Sequence, residues 1–123
     1  MMKKILIAED DKFLANAYRA KMVKAGFDVL IVKDGDEILK SVETYSPDLV
    51  LLDLVMPKRD GFSVLEELKK DPKYNTLPVI IASNLGQRED MQKALALGAK
   101  DFIIKSDFSL DQIVEKINLH IGK

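Results

Sequence analysis

LVLLDLVMPKRDG, residues 49–61, carries a carboxylate into the middle of an apolar run. Four aliphatic residues lead into Asp53, and Leu54, Val55 and Met56 follow before Pro57. A charge set among apolar neighbours is expensive to hold unless something compensates it. The segment therefore reads as a buried strand that ends on a residue with work to do. Similar runs, rich in β-branched residues, occur at Ile5–Ala8, Val29–Val32, Val79–Ala82 and Phe102–Ile104. They are near-continuous rather than alternating, as strands covered on both faces are.

Helical patterns lie between these runs. Leu14, Tyr18 and Met22 share one face; Ile38, Leu39 and Val42 another; Phe62, Leu65 and Leu68 a third. Met91, Ala94 and Leu95 follow, and Leu110, Ile113, Val114, Ile117 and Ile121 mark the last helix. Ser109 with Gln112 predicts a capping box, Asp34 with Glu37 a similar start, and Asp60 a cap for the helix after the loop that follows Asp53. Gly26 and Gly98 stand where helices should stop, and Pro47 and Pro78 just before strands. Five strands alternating with five helices predict an α/β domain: a parallel sheet with right-handed crossovers, covered by helices on both faces.

Bulk properties narrow the function. The 123 residues fit one domain, and 47% hydrophobic residues support a core. Lys and Arg total 19 against 20 Asp and Glu, for a net charge of -1, which argues against nucleic-acid binding by bulk electrostatics. There is no cysteine, hence no disulfide or thiol chemistry. The opening MMKKILIA is too short for a signal peptide or a membrane span, so a cytoplasmic location without membrane attachment is expected.

In a parallel sheet all carboxyl ends lie along one edge, and ligands bind there where the strand order reverses. After the first strand come Glu9, Asp10 and Asp11; after the third, Asp53; after the fourth, Ser83 and Asn84; after the fifth, Lys105. If the first and third strands are neighbours, Glu9, Asp10 and Asp53 converge. Two like charges about 4 Å apart repel by about 4 kcal/mol at an effective dielectric near 20. A divalent cation relieves this. Oxygen-only ligands favour Mg²⁺, or Mn²⁺, over zinc. A carboxylate beside such an ion can also be a nucleophile, and attack on phosphorus would give an aspartyl phosphate. Lys105, the Ser83 hydroxyl and loop N–H groups could meet the equatorial oxygens. Each residue taken singly has a plainer reading. Asp53 could bond loop N–H groups, Glu9 to Asp11 could form an acidic first helical turn, and Lys105 could be a surface lysine. His120, in the last helical turn, is read as structural.

KILIAEDD, LVLLDLVMPKRDG, VIIAS and GAKDFIIK together resemble the receiver domain of two-component response regulators, over essentially the whole chain, 1–123, as a single receiver domain. The resemblance implies the flavodoxin-like (βα)5 three-layer sandwich with strand order 2-1-3-4-5. It implies Asp53 as phosphoacceptor, and Mg²⁺ held by Asp10, Asp53 and the Val55 carbonyl, with Glu9 acting mainly through metal-bound water. It further implies Ser83 as switch hydroxyl, Lys105 as the lysine reaching the phosphoryl group, Phe102 as the aromatic switch position, and Pro57 and Gly61 in the loop after the acceptor. The expected function is Mg²⁺-dependent phosphoryl transfer to Asp53 from a histidine of a kinase or phosphotransfer protein. This would switch a protein-binding face made by the fourth helix, fifth strand and fifth helix.

The family usually has Lys-Pro with a cis bond after its fifth strand, where this chain has Lys105–Ser106. A trans bond, or a strained one, and a different loop path are expected, because a non-proline cis bond costs about 3 kcal/mol. Val55 and Leu85, two residues beyond acceptor and switch hydroxyl, are apolar and cannot orient a hydrolytic water, so a long-lived phosphoryl group is expected. No effector domain follows Lys123 here, so output is expected through a partner. The alternative is a degenerate receiver acting as a phosphorylation-independent interaction module. A haloacid dehalogenase-type phosphatase would need an Asp at position 55, which is Val, and an FMN site would be repelled by Glu9, Asp10 and Asp11. An enzyme is therefore not expected.

Overall fold

The computed structural model describes residues 2–84 and 87–121. The apolar runs are strands: β1 (Lys4–Ala8), β2 (Asp28–Val32), β3 (Leu49–Leu52), β4 (Val79–Ser83) and β5 (Asp101–Ile104). All pairings are parallel and the order is β2-β1-β3-β4-β5, as the flavodoxin-like fold requires. The helices are α1 (Lys12–Lys24), α2 (Gly35–Tyr45), α3 (Gly61–Lys70), α4 (Arg88–Ala96) and α5 (Leu110–His120), with a 3₁₀ turn at Lys105–Asp107.

Both sheet faces are dry, which explains why the strands do not alternate in polarity. Ile5, Ile7, Leu49, Leu51, Ile80, Ala82 and Ile103 pack with Tyr18 and Met22 of α1 and Ile113 and Ile117 of α5. Their strand neighbours Leu6, Ala8, Val50, Leu52, Val79, Ile81 and Phe102 turn to the other face. There they meet Ile38 and Val42 of α2, Val64, Leu65 and Leu68 of α3, and Ala94 of α4. Each buried Val, Leu, Ile, Phe or Met side chain among them contributes about 1.5–3 kcal/mol of burial.

Local chemistry sets the element ends. Asp11, Asp34, Asp60 and Ser109 accept from the backbone N–H of Leu14, Glu37, Ser63 and Gln112, and Gln112 returns a bond to the Ser109 N–H. Asp11 is thus the cap before α1 and not part of an acidic first turn. Gly26 and Gly98 take positive φ, +96° and +109°, just beyond α1 and α4. Two sequence expectations are corrected. Ser83 is the last residue of β4 and does not follow it. Leu95 is 46% exposed, because one residue on from buried Ala94 the helix has turned by about a quarter of its circumference.

Candidate functional site

The β1–β3 register pairs Ala8 with Leu52, so the next residues, Glu9 and Asp53, leave the sheet side by side. Asp10 follows, and carboxylate oxygens of Glu9, Asp10 and Asp53 lie within 4.8 Å of one another. Their environments differ. Glu9 is 2% exposed and Asp53 8%, while Asp10 faces solvent. Glu9 is held by its own N–H donating to the Val32 carbonyl at 3.0 Å, and its Oε2 accepts from Asp11 N–H at 3.2 Å. Asp53 Oδ1 accepts from Val55 N–H at 3.2 Å.

Lys105 enters from the end of β5. Its Nζ donates to Glu9 Oε1 at 2.5 Å and to Asp53 Oδ2 at 2.7 Å, with the lysine side chain 8% exposed. Burial alone would depress the ammonium, but hydrogen bonds and charge from Asp53 and Glu9 outweigh it and hold the Lys105 pKa above its ordinary value. No peptide bond among the described residues is cis, so Lys105–Ser106 is trans, as expected without proline. The 3₁₀ turn starting at Lys105 is the path that the loop takes instead.

Ser83, at the end of β4, is 1% exposed, on the strand between β3 and β5. Phe102 is buried on the α4 face of β5. Val55 stands 60% exposed in the loop after Asp53. Leu85 lies outside the described residues. In that loop Arg59 clamps the chain to α3, donating to Ser63 Oγ through Nη2 at 2.7 Å. His120 is remote from all of this. Its Nε2 sits 2.9 Å from Asp101 Oδ2, at the opposite, amino edge of the sheet.

Three carboxylates and one ammonium leave two negative charges uncompensated, the charge of one divalent cation. The donors are all oxygen and one side is open to water through Asp10, which suits Mg²⁺ or Mn²⁺. Sequence reasoning foresaw which residues meet but not that Lys105 would span Glu9 and Asp53. It also read Tyr18 only as core. In the structure the Tyr18 hydroxyl is buried, which pushes its pKa up to about 12, and it lies in the field of Lys105, Glu9 and Asp53.

No helix among the described residues is long and apolar enough to cross a membrane. The family model described as the response regulator receiver domain matches residues 5–118. The chain is 35% identical over 119 residues to chemotaxis protein CheY of Bacillus subtilis (strain 168), covering 96% of this chain and 97% of that protein. It is 33% identical over 105 residues to the alkaline phosphatase synthesis transcriptional regulatory protein PhoP of the same organism. That match covers 85% of this chain and 43% of PhoP, so the chain spans less than half of that relative. The Mn(2+)-bound form of response regulator Rcp1 superimposes with a TM-score of 0.83 at 27% identity, over 94% of this chain and 91% of that one. Strand order, acidic cluster and these matches agree: the chain belongs to the receiver domains of two-component response regulators.

Proposed function

We propose that the chain is one active receiver domain, residues 1–123, working in the cytoplasm as a signalling module and not as an enzyme. Asp53 takes a phosphoryl group from a phosphohistidine on a histidine kinase or phosphotransfer protein. An Asp53 carboxylate oxygen bonds to phosphorus as the phosphorus–nitrogen bond breaks, and the imidazole leaves with the electron pair and takes up a proton. Lys105 steadies the acceptor beforehand and follows the charge onto the phosphoryl oxygens. Ser83 supplies a hydroxyl from the next strand. Glu9, Asp10, Asp53 and the Val55 carbonyl would hold Mg²⁺ or Mn²⁺, which when bound neutralises charge on the phosphoryl oxygens. The Mn(2+)-bound state of Rcp1 supports that choice of ion. The observation that carries the reading is Lys105 bridging two buried carboxylates with a third, exposed, beside them.

Phosphorylation adds roughly -1.5 to -2 charge. Pulling Ser83 and Lys105 toward it repacks the face of α4, β5 and α5, where Phe102 lies, and a downstream protein reads that face. A shift from 1:99 to 99:1 requires about 5.5 kcal/mol of differential stabilisation. A few charge-assisted bonds of about 1.5–3 kcal/mol each reach it.

Incubation with acetyl phosphate and Mg²⁺, followed by intact-mass measurement, tests this. The expected result is a gain of one phosphoryl group, absent in Asp53→Asn. No gain in the wild-type chain would favour the degenerate, phosphorylation-independent module. Once formed, the aspartyl phosphate is expected to be long-lived, because exposed Val55 offers no polar group to orient water. Following the phosphorylated mass over time measures this, and Val55→Asn or Val55→Glu is expected to change the decay rate.

A further inference from the structure

The loop after the acceptor contains a turn of uncommon shape. Arg59 N–H donates to the Pro57 carbonyl at 2.8 Å, closing a three-residue turn centred on Lys58, whose φ is +68°. Residues with a side chain rarely adopt that conformation, and it persists only where the surroundings impose it. Here the start of α2 supplies them. Gly35, its first residue, is buried, and its N–H has no acceptor within the helix. That N–H donates to the same Pro57 carbonyl at 3.4 Å. The Lys58 ammonium stands 3.7 Å from Oδ2 of Asp34, the residue that caps α2.

The approach leaves no room for a side chain on α2. A Cβ at Gly35 would stand 2.6 Å from Arg59 Cβ, 2.7 Å from the Arg59 carbonyl oxygen and 3.1 Å from Val64 Cγ2. Arg59 has little freedom to retreat, since its guanidinium donates to Ser63 Oγ, and Val64 is packed in the core. A push at Gly35 therefore passes back along the loop toward Asp53. Val55 lies midway, two residues from Asp53 and two from Pro57. We propose that Gly35 is a positioning residue: having no Cβ, it lets the Pro57–Arg59 turn close against α2, and that turn sets the Val55 carbonyl beside Asp53 for a divalent cation. Mg²⁺ demands near-ideal octahedral geometry, so a displaced carbonyl weakens its binding. The inference rests on the reading that Glu9, Asp10, Asp53 and the Val55 carbonyl hold the cation.

Calorimetric titration of the whole chain with Mg²⁺ alone, beside urea unfolding in chelator, tests it. Gly35→Ala is expected to lower the metal-free stability and to raise the Mg²⁺ Kd about tenfold, the equivalent of ~1.4 kcal/mol. Gly26→Ala is the control. Gly26 has a φ of +96°, so alanine is strained there too, but it lies beyond α1 and an added Cβ meets nothing within 4 Å. Its stability is expected to fall with the Kd unchanged. Lys58→Gly reaches the same turn without overpacking. Glycine takes positive φ freely, so the fold is kept while the turn loosens and the Kd rises. Loss of a lysine charge by itself favours a cation, so a raised Kd reports the turn. An unchanged Kd in Gly35→Ala, with wild-type binding intact, overturns the role of Gly35. A Kd raised equally by Gly26→Ala marks a general effect of lost stability and overturns it too. If Gly35→Ala does not fold, an unchanged Kd in Lys58→Gly overturns it instead. Failure of the wild-type chain to bind Mg²⁺ overturns the metal reading and the role of Gly35 with it.

Discussion

Lys105 shows how one side chain sets the electrostatics of the site. Its single positive charge is shared by two carboxylates that the sheet has already buried, so its removal leaves both without a cation. In Lys105→Met the metal-free protein is expected to lose about 3–5 kcal/mol, the cost of breaking a buried pair. Mg²⁺ is then expected to restore more stability to the variant than it adds to the wild type, because the ion supplies the missing charge. Urea unfolding with and without Mg²⁺ at neutral pH measures both. The pH dependence has a definite sign. The Lys105 pKa is raised in the fold, so its contribution is complete below the ordinary value of 10.5 and is lost as pH rises through the higher folded value. Above about pH 10.5 the wild type is expected to lose stability more steeply than Lys105→Met.

At the scale of elements, the join between β3 and α3 decides where the Asp53 carboxylate points. The first residue of α3 rests on the strand end: Gly61 N–H donates to the Leu54 carbonyl at 2.9 Å. A Cβ at Gly61 would stand 2.4 Å from the Asp53 carbonyl oxygen and 2.8 Å from Leu54 Cα. Neither backbone atom can yield without moving the acceptor. Gly61→Ala is therefore expected to cost about 1–3 kcal/mol, as overpacking does. It should also slow phosphoryl uptake from acetyl phosphate, read as the rate of mass gain in protein shown to be folded by circular dichroism. A purely global loss of stability would leave the rate per folded molecule unchanged.

At the scale of the whole molecule, the two edges of the sheet carry different electrostatics. The carboxyl edge gathers uncompensated negative charge; at the amino edge the Asp101 carboxylate is paired. There Asp101, opening β5, meets His120 at 2.9 Å and Lys116 at 3.2 Å, both from α5. Burial pushes the Asp101 carboxyl up. Bonds from His120, the Phe102 N–H and Lys116 outweigh that and hold it below its ordinary 3.8. A depressed carboxyl contributes stability above its unfolded pKa and loses it as pH falls through the folded one. Below about pH 4 this tie between sheet and last helix is expected to fail. Asp101→Asn should be less stable than wild type at pH 7, and the gap should narrow as acid unfolding is followed downward by circular dichroism.

Much of this protein was readable from its residues alone, because apolar runs, caps and glycine stops are local. Leu49 to Leu52 had to be covered on both faces, Ser109 and Gln112 had to start a helix, and Glu9, Asp10 and Asp53 had to meet once the strands were parallel neighbours. Pairing in three dimensions left no trace in the pattern. That Lys105 would span Glu9 and Asp53, that His120 would find Asp101, and that Leu95 would face water depended on where separate elements came to rest. So did the burial of the Tyr18 hydroxyl without a partner, on a side chain that shares its core-facing period with Leu14 and Met22. Periodicity along a chain reports which face is buried; which atoms then touch is fixed by packing between distant segments, and hydrogen bonds and ion pairs depend on that geometry at the scale of an ångström.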